Sequence, residues 1–156
     1  EKNGYSFLIM VKGMKDFIRE IVIEKQGSFE NSRGKYIDRY DLYGTTVRHL
    51  LYEGGAKKRN IHIYHSDGKA YGEKQEIKQK IRRLKKYLGA CVGKECVAFG
   101  PEIMKYFYLN FEKDGKTLKF AEENTSAVEK ELFLAGYFAI VSSENMTARE
   151  AIELYI

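Results

Sequence analysis

The segment Gly136 to Tyr155, GYFAIVSSENMTAREAIELY, constrains the fold more than any other part of this chain. Phe138, Ala139, Ile140 and Val141 form a short apolar run flanked by a glycine and two serines, a pattern that suits a strand covered on both faces. Thr147 followed three residues later by Glu150 makes a capping box, in which hydroxyl and carboxylate satisfy the first free N–H groups of a helix. Ala148, Ala151, Ile152 and Tyr155 then recur on one helical face. The pattern predicts a buried strand, a polar turn and a capped helix. That helix is cut after about two turns, as expected of a fragment boundary.

Upstream, the order of elements predicts an α+β fold with a mixed sheet and several helices. Tyr5 to Lys12 reads as a strand, and Met14 to Lys25 as a helix with Met14, Phe17, Ile18 and Ile21 on one face. A polar turn region follows from Gly27 to Gly34. Tyr36 to Leu51 holds one or two strands with alternating aromatics, and Asn60 to His65 another. Lys69 to Leu88 reads as a helix. Residues 106–111 and 116–120 form a hairpin around Asp114-Gly115. Ser126 with Glu129 offers a second capping box before a short helix through Leu134.

Charge is unevenly spread. Lys69 to Leu88 holds eight basic and two acidic residues, a net of +6, whereas the whole chain carries +5 and the remainder therefore −1. Ile77, Ile81, Leu84 and Leu88 recur at helical spacing and face a core, which leaves a cationic outer face. Lys78, Arg82, Arg83, Lys85 and Lys86 are its candidate DNA-binding residues, with Lys57, Lys58 and Arg59 as a second basic loop. Such a face can lie along a phosphate backbone, where each contact releases counterions. It can equally serve only as a solvated surface.

Other features exclude more than they assign. A hydrophobic content of 44% argues against disorder despite 31% charged residues. The longest apolar run, Leu132 to Val141, falls far short of the roughly 20 residues of a membrane helix. Cys91 and Cys96 lack a partner pair for zinc and read as reduced thiols, consistent with a cytoplasmic location. His62 and His65 lie three apart on a strand and so face opposite sides; with His49 they read as ordinary side chains. Tyr36, Tyr40 and Tyr43 are close enough to share a surface, either packed across strands or offered to bases. Asp38 with Asp41, and Glu122 with Glu123, are nearby carboxylates on which no other metal-ligating residue converges.

The segment Gly136 to Tyr155 resembles the approach to the last catalytic helix of bacterial insertion-sequence transposases, the RNase H-like DDE enzymes with a Tyr-Arg-Glu-Lys signature. Tyr155 matches the signature Tyr, and NGYSFLIMVK (Asn3 to Lys12) resembles the strand after the family's second catalytic Asp. The resemblance implies that residues 1–12 and 136–156 are parts of an RNase H-like core, with 13–135 an insertion subdomain between them. It places all three metal-binding carboxylates outside the chain, so no catalytic or metal-binding residue and no cofactor is expected within it. Mg2+ or Mn2+ is implied for the intact parent. Tyr155 is expected near a DNA phosphate, double-stranded transposon-end DNA is the implied partner, and a homodimer is possible. Phe133, Leu134 and Phe138 are candidates for an apolar surface covered in such a dimer. Independent of the resemblance, a basic nucleic-acid-binding module and a protein-interaction domain stand as alternatives.

Overall fold

The computed structural model describes residues 6–11, 16–50, 58–95 and 98–156, with the side chains at 49, 50 and 58 outside that description. In chain order the first half runs β1 (Leu8–Met10), α1 (Asp16–Lys25), β2 (Tyr36–Ile37), β3 (Leu42–Leu50), β4 (Lys58–His65) and α2 (Asp67–Cys91). The second half runs α3 (Pro101–Tyr106), β5 (Phe107–Phe111), β6 (Leu118–Glu123), α4 (Thr125–Leu134), β7 (Tyr137–Ser142) and α5 (Ala148–Tyr155). Two compact units result: Glu1–Tyr71 with Gly136–Ile156, and Gly72–Ala135. The fold class is α+β, as read from the sequence. The unit that interrupts the sheet is shorter than the 13–135 insertion of the sequence reading, because β2, β3 and β4 belong to the same sheet as β1 and β7.

That sheet has the order β1-β7-β4-β3-β2 and is antiparallel at every described pairing, not mixed. The reason is local: β2 reverses into β3 through a single turn at Asp38–Asp41, where Asp41 adopts φ 49, and no helical crossover joins parallel neighbours. Strand β7 occupies an inner position. Its residues pair with β1 (Leu8↔Ser142, Met10↔Ile140) and with β4 (Ile61↔Val141, Ile63↔Ala139). Ala139, Ile140 and Val141 are accordingly buried, which accounts for the unbroken apolar run.

One face of the sheet carries Met10, Ile140 and Tyr64 and is covered by α5 through Ala148 and Ile152. Gly44 permits that approach, since a Cβ there would lie 3.0 Å from the Tyr64 ring and 3.1 Å from the Ala148 Cβ. The Tyr64 hydroxyl donates to the Ala148 carbonyl at 2.6 Å, fixing the first turn of the helix to the sheet. Ile61, Ile63, Ala139 and Val141 point to the opposite face and are buried. On that side Phe29 meets Tyr137 edge to face, and the Tyr137 hydroxyl donates to Glu30 at 2.6 Å. Helix α1 buries Ile18, Ile21 and Val22, while Phe17 is only half-buried and Met14 lies outside the described residues.

The second unit has its own core of Ile81, Leu88, Cys91, Ile103, Tyr106, Phe107, Leu118 and Val128. Its hairpin turns where the sequence predicts: Asp114 accepts from the N–H groups of Lys116 and Thr117, and Gly115 supplies φ 69. Helix α3 was not anticipated from the sequence; Pro101 at its first position is the signal that marks it. Helix α4 is capped by Asn124, which accepts from the Ala127 N–H, and not by Ser126. The helix begins before Ser126, so that residue is already inside its first turn.

Gly136 joins the two stretches of the first unit. It adopts φ 85, and a Cβ there would lie 2.6 Å from the Ala70 Cβ and 2.8 Å from the Ser66 carbonyl. The Ser66 N–H in turn donates to the Gly136 carbonyl at 3.0 Å. The chain therefore leaves the first unit and rejoins it at a single place. Gly136→Ala combines backbone strain with a backbone clash and is expected to destabilise the fold by about 2–3 kcal/mol. Urea denaturation checks this, and an unchanged midpoint contradicts the tight crossing.

Candidate nucleic-acid interface

Helix α2 extends the predicted segment at both ends, and its apolar stripe behaves as expected: Ile81 and Leu88 are buried, and Ile77 and Leu84 pack against them. The opposite surface carries the cations. Lys78, Arg82, Arg83 and Lys86 are exposed. Lys85 is also exposed but forms an ion pair with Glu123 of β6 at 2.7 Å, and Lys80 pairs with Glu102 of α3 at 3.2 Å. Each such pair adds little stability in water, yet it cancels a charge that would otherwise meet a ligand. Of the predicted α2 residues, then, Lys85 is already partnered.

Within the second basic cluster, Lys58 and Arg59 belong to β4 and not to a loop. Arg59 sits inside β4, 8% exposed, with its guanidinium 5.5 Å from the centre of the Phe7 ring. It fills the sheet's flank because strand alternation places it on the same side as Ile61 and Ile63. Lys58 pairs with Leu50 through β4, and Lys57 lies outside the described residues. Tyr155 stands near the end of α5, 44% exposed, clear of the buried Ala151 and Ile152. Of the expected apolar surface only Phe133 is open, at 69%; Leu134 is buried, and Phe138 stacks on Tyr64 with ring centres 5.1 Å apart. Tyr36 and Tyr43 form a cross-strand pair with centres 5.0 Å apart, while Tyr40 packs toward the α5 side of the sheet. Cys91 is buried in the second unit, and Cys96 lies outside the described residues.

A buried polar chain on the α5 face escaped the sequence reading. Thr46, His62 and Ser142 lie side by side on β3, β4 and β7. The Thr46 hydroxyl is 2.8 Å from His62 Nδ1, and His62 Nε2 is 2.8 Å from Ser142 Oγ. Ser142 directs its own proton to the Glu144 carbonyl at 2.9 Å, so it accepts from Nε2–H, and Nδ1 accepts from Thr46. Asn60 extends the network with bonds to the Glu144 carbonyl (2.8 Å) and Asn145 Oδ1 (3.0 Å), where Arg48 also donates at 3.1 Å. The turn before α5 is thus held by side chains from two neighbouring strands. The detectable signal was NIHIYH itself, whose alternation puts Asn60 and His62 on one face with Tyr64.

Beside Thr46, a cleft of about 520 Å³ opens between the β2–β3 edge and the start of α5, lined in part by Lys35, Tyr36, Thr147 and Arg149. Its size suits a small ligand, but its cations, Lys35 and Arg149, are exposed, and Arg149 donates to the Tyr36 carbonyl at 3.4 Å. Among the described residues no group of three or more His, Cys, Asp or Glu side chains is placed to hold a metal ion, and no helix is long and apolar enough to cross a membrane. Asp41 binds the Tyr36 hydroxyl at 2.6 Å, pushing its pKa up to about 12, and Glu123 is taken by Lys85. No protein family, curated protein or solved structure matches the chain.

Burial pushes the His62 pKa down from 6.5 to about 4, against a smaller opposing pull from Glu150. The unfolded chain therefore takes up a proton that the folded one refuses. This contribution is complete above pH 6.5 and is lost as pH falls toward 4, reaching about 3 kcal/mol in full. Urea midpoints between pH 7.5 and 5 are expected to fall accordingly. In a His62→Gln chain, neutral-pH stability drops by about 1–3 kcal/mol and the pH slope flattens; an unaltered slope contradicts the assignment.

Proposed function

We propose that the chain is a portion of an insertion-sequence transposase of the RNase H-like DDE class. In this reading it contributes contacts to transposon-end DNA or to a second protomer, while carboxylates on adjoining parts of the parent bind Mg2+ or Mn2+ and carry out strand transfer. What supports it is one observation. The two segments that resemble the family, more than 120 residues apart in sequence, are hydrogen-bonded neighbours: Leu8 to Met10 pairs with Ile140 to Ser142, and α5 lies against the face they share. A family-like strand, turn and helix assembled with their matching partner strand form a more specific pattern than either segment alone. Tyr155, exposed at the end of α5, is free to approach a phosphate. A cytoplasmic site of action goes with this reading.

A second reading has its own support. The strongly basic stretch of α2 belongs to a unit with a separate core, Gly72–Ala135, so an independent nucleic-acid-binding module is the runner-up. Two measurements separate them. Codons upstream of Glu1 are expected to encode the second catalytic Asp, and codons beyond Tyr155 the Arg, Glu and Lys of the signature; their absence removes the transposase. The purified chain, incubated with supercoiled plasmid and Mg2+ or Mn2+, is expected to leave it unnicked. Metal-dependent nicking by the chain alone contradicts the assignment of catalysis to other parts.

A further inference from the structure

The cations of α2 are sorted by side. At 100° per residue, Lys74, Lys78, Arg82 and Lys86 follow one another every four positions along one flank of the helix, all exposed. With a rise of about 1.5 Å per residue this row places one positive charge roughly every 6 Å over about 18 Å. The other flank mixes signs: Glu73 and Glu76 share it with Lys80 and Arg83. Lys80 lies on that second flank, and Lys85 falls between Lys74 and Lys78 around the helix; both are neutralised, by Glu102 and Glu123. The four row residues have no ion-pair partner among the described residues.

A surface evolved only for solubility intersperses acids with bases, as the second flank of this helix does. Successive like charges at four-residue spacing instead repel one another and weaken the helix. Their repulsion is relieved by a ligand with regularly spaced negative charge. We infer that Lys74, Lys78, Arg82 and Lys86 form a track for the phosphate backbone of duplex DNA, contacted without regard to base sequence, and that Lys80 and Lys85 are excluded from it. The inference rests on the reading that this chain contacts nucleic acid, and it changes the α2 residue set: Lys74 joins, and Arg83 and Lys85 leave. An acidic protein surface offers no comparable linear repeat of charge.

The test measures binding of the 156-residue chain to a duplex of arbitrary sequence between 50 and 200 mM salt. Four phosphate contacts predict a log–log slope of about −3.6, a loss of affinity of roughly 150-fold across that range. Each of Lys74→Gln, Lys78→Gln, Arg82→Gln and Lys86→Gln is expected to reduce the slope by about 0.9. The double change Lys80→Gln with Lys85→Gln is expected to leave it unaltered, with thermal melting confirming that every variant is folded. Salt-dependent binding that survives loss of all four row residues overturns the track while leaving DNA contact standing. No binding to duplex by the unaltered chain overturns both. Equal retention on polyglutamate and on duplex overturns the assignment of the partner.

Discussion

The antiparallel pairing of β7 with β1 on one side and β4 on the other is the constraint on which the first unit depends. It joins residues near the two ends of the sequence, so its loop-closure entropy is large and must be offset by burial. The offset comes from residues buried on both faces. Ile140 packs beneath α5, while Ala139 and Val141 turn to the other side with Ile61 and Ile63. Gly136 determines where the strand begins, because its left-handed backbone and missing Cβ let the chain rejoin beside Ser66 and Ala70. Thr46, His62 and Ser142 determine register at its other end: a slip by one residue would turn Ser142 away from His62 and strand two buried polar groups.

These same features set the position of α5. Tyr64 anchors the Ala148 carbonyl, Thr147 and Glu150 close the capping box, and Asn60 and Arg48 grip the preceding turn. A helix so short has little stability of its own. Its orientation is imposed by the sheet. A side chain at its far end, such as Tyr155, is therefore presented from a fixed base, which the proposed phosphate contact needs. Charge is handled elsewhere: the cationic row belongs to the second unit, whose core is separate.

Most of the elements were legible because their signals are local. The alternation in Asn60 to His65, the Asp114-Gly115 turn, the apolar stripe of α2 and the Thr147–Glu150 box each act within a few residues, and each appears in the structure. What was not legible depends on distant partners. Arg59 reads as part of a basic loop until β4 places it over Phe7, and Lys85 reads as free until Glu123 arrives from β6. Leu134, expected on a dimer surface from the resemblance, is buried, which no local pattern reveals. Nor does any local pattern in Tyr36 to His65 say that those strands share a sheet with β7. The His62 chain needs three strands in register before it exists at all.

The most direct test of this account replaces Gly72–Ala135 with a short flexible linker. Because the chain leaves and rejoins the first unit at Ser66, Ala70 and Gly136, a linker of about six residues spans the gap without strain. The account predicts that the remaining residues fold cooperatively, with the amides of Tyr137 to Ser142 among the slowest to exchange with solvent. A shortened chain that stays unfolded, or one in which those amides exchange as fast as in an unfolded peptide, would contradict it.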